Sequence, residues 1–132
     1  MDLIADTTLL VGLWRKQRWA VEFGRSNSSR VLGLPWVVLG EFWHGATRTG
    51  HDPQLVGAFL QTGLPIYDAS AAIPFYARVC AQAQADGFYG DIGQNDLWIA
   101  AVALANGLPL VSRNKRHFGK VEGLKLVVLA ET

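Results

Sequence analysis

The chain is short of cysteine, of charge and of long apolar runs, and each shortage excludes something. Cys80 is the only cysteine in 132 residues. No intrachain disulfide can form, and a zinc site built on several thiolates is ruled out. Cys80 sits in a stretch with helical apolar spacing and reads as a small core residue. Charged residues make up 17% of the chain and nearly cancel, leaving a net charge of +1. The chain is therefore neither a disordered polyelectrolyte nor basic over its whole surface. No apolar stretch reaches the ~20 residues needed to span a bilayer. The opening Met1-Asp2-Leu3-Ile4-Ala5-Asp6 carries acid where an export signal carries base. The expectation is a soluble, cytoplasmic chain without membrane contact.

Half of the residues are hydrophobic, which suffices for one real core at this length. No repeat, linker or low-complexity tract divides the chain, so a single domain over 1–132 is expected. The cations are clustered rather than spread. Arg15, Lys16 and Arg18 lie near the start, and Arg113, Lys115, Arg116, His117 and Lys120 near the end. Such patches can be solvated surface or can hold a phosphate backbone.

Short apolar runs alternate with helical patterns. Leu3–Ala5 reads as a buried strand ended by Asp6-Thr7-Thr8, whose side chains can cap a helix through Leu9, Leu10, Leu13 and Trp14. A helical piece near Trp19–Phe23, a turn at Ser26–Ser29 and a strand at Val31–Leu34 follow. Pro35 suits the start of a helix over Trp36–Thr47. Asp52 and Pro53 open a helix over Gln54–Gln61. Leu64–Asp68 reads as a strand weakened by its proline, and Ala71–Ala85 as a long helix. After the loop Gly87–Gly93, a helix over Asn95–Asn106 closes on Gly107. Leu108–Val111 and Lys125–Leu129 complete five strands. This order predicts an α/β sandwich with a mainly parallel sheet, whose functional crevice lies beyond the C-terminal strand ends.

Three acids stand out against that frame. Asp6 ends the first strand; it can cap the next helix or face the crevice. Glu41 is the single acid in an otherwise apolar helical stretch, where a lone buried carboxylate costs several kcal/mol. It needs an edge, a cation, or a partner such as His44 three residues on. Asp96 opens a helix, as a cap, a dipole partner or a ligand. Three carboxylates at element ends are what an oxygen-ligated Mg²⁺ or Mn²⁺ ion requires. Asp2, Glu22, Asp52, Asp68, Asp86, Glu122 and Glu131 have ordinary surface or capping explanations. The aromatic residues Trp14, Trp36 and Trp43 read as core or as a partner groove, with core the first expectation because tryptophan is mostly buried.

These residues resemble a known family. Asp6-Thr7-Thr8 after an apolar strand, Leu39–Ala46 around Glu41, Ile92–Ala101 around Asp96, and Leu110–Phe118 followed by Val121–Leu124 are similar, in order and spacing, to the motifs of PIN-domain proteins. The likeness is closest to the VapC-type toxins of bacterial toxin–antitoxin pairs. The resemblance implies a PIN-like three-layer α/β/α sandwich and an endoribonuclease dependent on Mg²⁺ or Mn²⁺. It also implies an RNA substrate, a homodimer and a small VapB-like antitoxin. Asp6, Glu41 and Asp96 would form the acidic pocket, with Ser112 and Asn114 in support. Arg113, Lys115 and Arg116 are candidates to hold the RNA backbone. There are two departures: Asn114 stands where an acid is common, and Ser112 where threonine is common. Asp91 is a loop acid that could add charge to the pocket. Two other readings stay open. One is a PIN-like protein that binds RNA or an antitoxin but cuts poorly. The other is a receiver-like signalling domain phosphorylated on Asp68.

Overall fold

A computed structural model describes residues 1–129. Its described elements are β1 (Leu3–Ala5), α1 (Thr7–Trp14), α2 (Arg18–Ser26), β2 (Leu32–Pro35), α3 (Trp36–Thr49), α4 (Pro53–Leu60), β3 (Leu64–Ile66), α5 (Ala72–Asp86), α6 (Gln94–Asn106), β4 (Leu110–Ser112), α7 (Lys115–Phe118) and β5 (Leu126–Val128). Residue 131, a surface acid by sequence, lies outside the described residues.

All five strands run parallel in the order β3-β2-β1-β4-β5. Parallel strands need crossovers, and right-handed crossovers put the helices of the β1-to-β3 half on one face and those of the β3-to-β5 half on the other. The result is the three-layer sandwich expected from the sequence. β1 is central, and Leu3, Ile4 and Ala5 are all buried, as a strand covered on both faces demands. Leu34, Leu110 and Val111 beside it are buried too. β3 is an edge strand, and an edge is where Pro65 can be tolerated. It stops at Ile66, two residues before the sequence pattern suggests.

Capping follows the sequence closely. The Asp52 carboxylate accepts from the Gln54 amide at 2.9 Å with Pro53 in the first turn, and Gly107 closes α6 at φ 62°. The short helix α7 is absent from the sequence reading, since four residues carry no periodicity. Aromatic burial departs from expectation in one place. Trp14 and Trp36 pack partly buried against the core, whereas Trp43 is 37% exposed. It follows the buried Phe42 by one position, and one helical step of ~100° turns it outward. Cys80 is partly buried against the core.

Among the described residues no helix is long and apolar enough to cross a membrane.

Candidate active site

The strand order reverses between β1 and β4, and this switch point is where parallel sheets open a crevice at their C-terminal ends. Asp6 follows β1 and Ser112 ends β4, so both side chains meet there. Asp6 is only 3% exposed and Ser112 is fully buried. One Asp6 oxygen, Oδ1, accepts the Leu9 amide at 2.9 Å and so caps α1. The other, Oδ2, accepts the Ser112 hydroxyl at 2.5 Å. The capping and crevice readings of Asp6 are thus both fulfilled, one by each oxygen. Burial pushes the Asp6 carboxyl up to about 6; the Ser112 and Leu9 bonds oppose this, while the charges of Asp96 and Glu41 add to it.

Glu41 arrives from the middle of α3, which packs against α1. Its Oε1 accepts the Thr7 hydroxyl at 2.6 Å. His44, the partner suggested by helical spacing, is exposed and makes no such contact. The helix in front of α3, rather than α3 itself, supplies the partner. Thr7 is a site residue that the sequence reading used only as part of a motif.

Asp96 sits in the first turn of α6 without capping it; Gly93 holds the cap position. Its Oδ2 lies 3.4 Å from the Asn114 Nδ2 amide and 3.3 Å from Nδ1 of His117. The same imidazole nitrogen is 2.9 Å from Asn114 Nδ2. It can serve only one of them at a time, accepting from Asn114 when bare and donating to Asp96 when protonated. Burial raises the Asp96 carboxyl, with the Glu41 charge adding to that, and the His117 contacts oppose the rise. His117 was grouped with the basic cluster by sequence. The signal that could have found it is its place three residues after Asn114, one turn along α7.

The two supporting residues act through hydrogen bonds. The Asn114 amide N–H donates to Ser112 Oγ at 2.9 Å, and its side chain caps α7 by accepting the His117 amide at 3.3 Å. Ser112 thus fixes Asp6, and Asn114 steers Asp96. The three cations differ. The Arg113 guanidinium lies 4.3 Å above the Trp19 ring, while Lys115 and Arg116 are exposed on α7. Asp91 is exposed in its loop and has no part in the shifts of Asp6 or Asp96.

Asp68 is elsewhere. It follows the edge strand β3, two strands or ~9.5 Å from β1. It is exposed, and bonds from Ser70, including its amide at 2.8 Å, hold it below the usual carboxylate range. The receiver-like reading placed the chemistry at this residue, and the acids do not gather there.

The family model for the PIN domain matches residues 3–124. The chain belongs to the PIN domain family. That membership replaces the receiver-like reading. A curated relative, Ribonuclease VapC1 of Methanocaldococcus jannaschii, is 28% identical over 127 residues, covering 94% of this chain and 85% of the relative. Among solved structures, VapBC2 from Rickettsia felis bound to a promoter DNA fragment superposes with a TM-score of 0.83 at 19% identity, covering 98% of this chain and 100% of the other. DNA-bound VapBC from Salmonella typhimurium gives a TM-score of 0.82 at 25% identity, covering 97% and 98%. The α/β/α architecture of this chain is the PIN fold of those proteins.

Proposed function

We propose that this PIN-domain chain is a VapC-like toxin: an endoribonuclease that hydrolyses RNA phosphodiester bonds with Mg²⁺ or Mn²⁺, works as a homodimer and is silenced by a small VapB-like antitoxin. The whole chain 1–132 acts as the one domain. The observation that carries the reading is the buried Asp6 carboxylate at the switch point, raised by burial and by the charges of two other acids. A bound cation would offset the cost of holding acids together in a desolvated crevice.

The donor set fits a hard divalent ion, because every candidate ligand is an oxygen. Among the described residues no three His, Cys, Asp or Glu side chains form a ready-made cage. An ion that takes one or two carboxylates and keeps several waters, as Mg²⁺ does, needs no such cage. Asp6 and Asp96 would hold it, with Glu41 direct or through water. When bound, the ion supplies Lewis acidity toward water and phosphate oxygen.

The chain's own groups do the rest. Glu41 has Oε1 occupied by Thr7 and Oε2 left to take a proton from the attacking water. Ser112 keeps Asp6 in one orientation, and Asn114 and His117 do the same for Asp96. Lys115 and Arg116 lie exposed on α7, the helix whose His117 reaches Asp96, with Arg113 next to them in sequence; these are the cations offered to the RNA backbone.

Purified protein should cleave single-stranded RNA with Mn²⁺ and stop when EDTA is added. Asp6→Asn and Asp96→Asn should each lower the rate at least a hundredfold with circular dichroism unchanged. Wild-type rates from both variants would end the assignment. The weakly catalytic reading rests on Asn114, which brings no negative charge. It predicts RNA retained without product at any Mn²⁺ concentration.

A further inference from the structure

A second feature shares one residue, Glu41, with the acidic site. Between α1 and α3 lies a cleft of about 170 Å³. Glu41 stands in its wall. Val11, Trp14 and Phe42 make it apolar and aromatic on one side, and Arg15 and Arg48 line it from opposite helices. His51 also lines it, edge-on to Trp14 with ring centroids 5.2 Å apart.

The two arginines carry the argument. Arg15 caps the C-terminus of α1 and Arg48 lies in the last turn of α3. Helix dipoles explain a cation at each of those ends. They do not explain why both line the same cleft that Glu41 lines. Among the described residues neither guanidinium has a carboxylate within ion-pair distance. Arg48 is seven residues beyond Glu41 on α3, about 10 Å along the axis. A chain of phosphates passing the acids would therefore bring a neighbouring phosphate, not the one being cut, to Arg15 and Arg48. A guanidinium offers paired N–H donors that match phosphate oxygens. His51 is exposed and offers the aromatic contact that unstacked RNA bases take, and Trp14, packed edge-on against Phe42, Phe59 and His51, backs it.

We infer that the α1–α3 cleft seats the nucleotide flanking the scissile phosphate, with Arg15 and Arg48 gripping its phosphate and Trp14 and His51 walling its base. The inference rests on the RNA-cleaving reading for its substrate class. It adds a second point of grip: α7 cations beside Asp96, cleft arginines beside Glu41, and the acids between them.

Binding can be read without cleavage. An end-labelled single-stranded oligouridylate is titrated in EDTA by fluorescence anisotropy at several salt concentrations. Wild type is compared with Arg15→Ala, Arg48→Ala and the double variant; both side chains are exposed, so folding is preserved. The double variant should bind about tenfold more weakly at low salt, with a salt slope shallower by about 1. Unchanged affinity and slope would overturn the inference. So would a double variant that loses affinity for an acidic peptide but none for RNA, because the cleft would then be a peptide groove. Cleavage is scored separately with Mn²⁺. A wild-type chain that never cuts RNA, yet binds it through both arginines, would remove the nuclease reading and leave the cleft assignment standing.

Discussion

Asp6 illustrates how one residue can be costly alone and useful in company. Its folded carboxyl sits at about 6, against an ordinary value of 3.8. Between those values the folded state holds a proton that the unfolded state has lost, so metal-free stability falls as pH rises from 4 to above 6 and then levels off. The drop is on the order of 3 kcal/mol from this group. Asp6→Asn removes it. In urea titrations with EDTA, the variant should gain on wild type by that order between pH 4 and pH 7. A difference independent of pH would contradict the assigned environment. Asn114 supports a second expectation at this scale. It lies 3.4 Å from Asp96, so Asn114→Asp adds a like charge while keeping a capping side chain. Mn²⁺ affinity by calorimetry should rise roughly fivefold to tenfold, because ligand charge governs the affinity of such ions. Metal-free stability should fall.

At the scale of elements, the site depends on how α1 is held. Asp6 and Thr7 stand at its start and Arg15 at its end, and α2 and α3 pack against it. Gly12 is the point of closest approach. A Cβ there would sit 2.6 Å from the Trp19 ring and 3.0 Å from Ala20 Cβ. Gly12→Ala gains up to ~1 kcal/mol in helix propensity and loses ~1–3 kcal/mol to overpacking. A net loss of about 1–2 kcal/mol is expected by denaturant unfolding. A stabilised variant would show that α2 is free to move away. The helix α7 works differently. Its four residues cannot persist alone. Asn114 caps it, buried Phe118 anchors it, and together they bring His117 to Asp96.

For the whole molecule, Asp6 stands at the switch point beside Ser112, and Glu41 links the acids to the cleft. A divalent ion binding only the folded state should stabilise it by about 2.7 kcal/mol at a hundred times its Kd. Thermal melts with Mn²⁺ should show that gain in wild type and lose it in Asp6→Asn. Equal shifts in both would place the ion elsewhere.

The sequence by itself determined the parallel α/β class, the caps at Asp52 and Gly107, and the three acids, because periodicity, turn chemistry and charges out of place are local signals. Its motif order also pointed to the PIN family. Other features depended on contacts between segments far apart in the chain. Thr7 rather than His44 holds Glu41 because α1 crosses α3. Ser112 meets Asp6 across 106 positions because β4 lies beside β1. His117 reaches Asp96 because α7 folds against α6. Arg15 and Arg48 share a cleft because two helix ends come together. Only the tertiary structure decided these, since a hydrogen-bond partner is chosen by distance in space and local pattern carries no record of it.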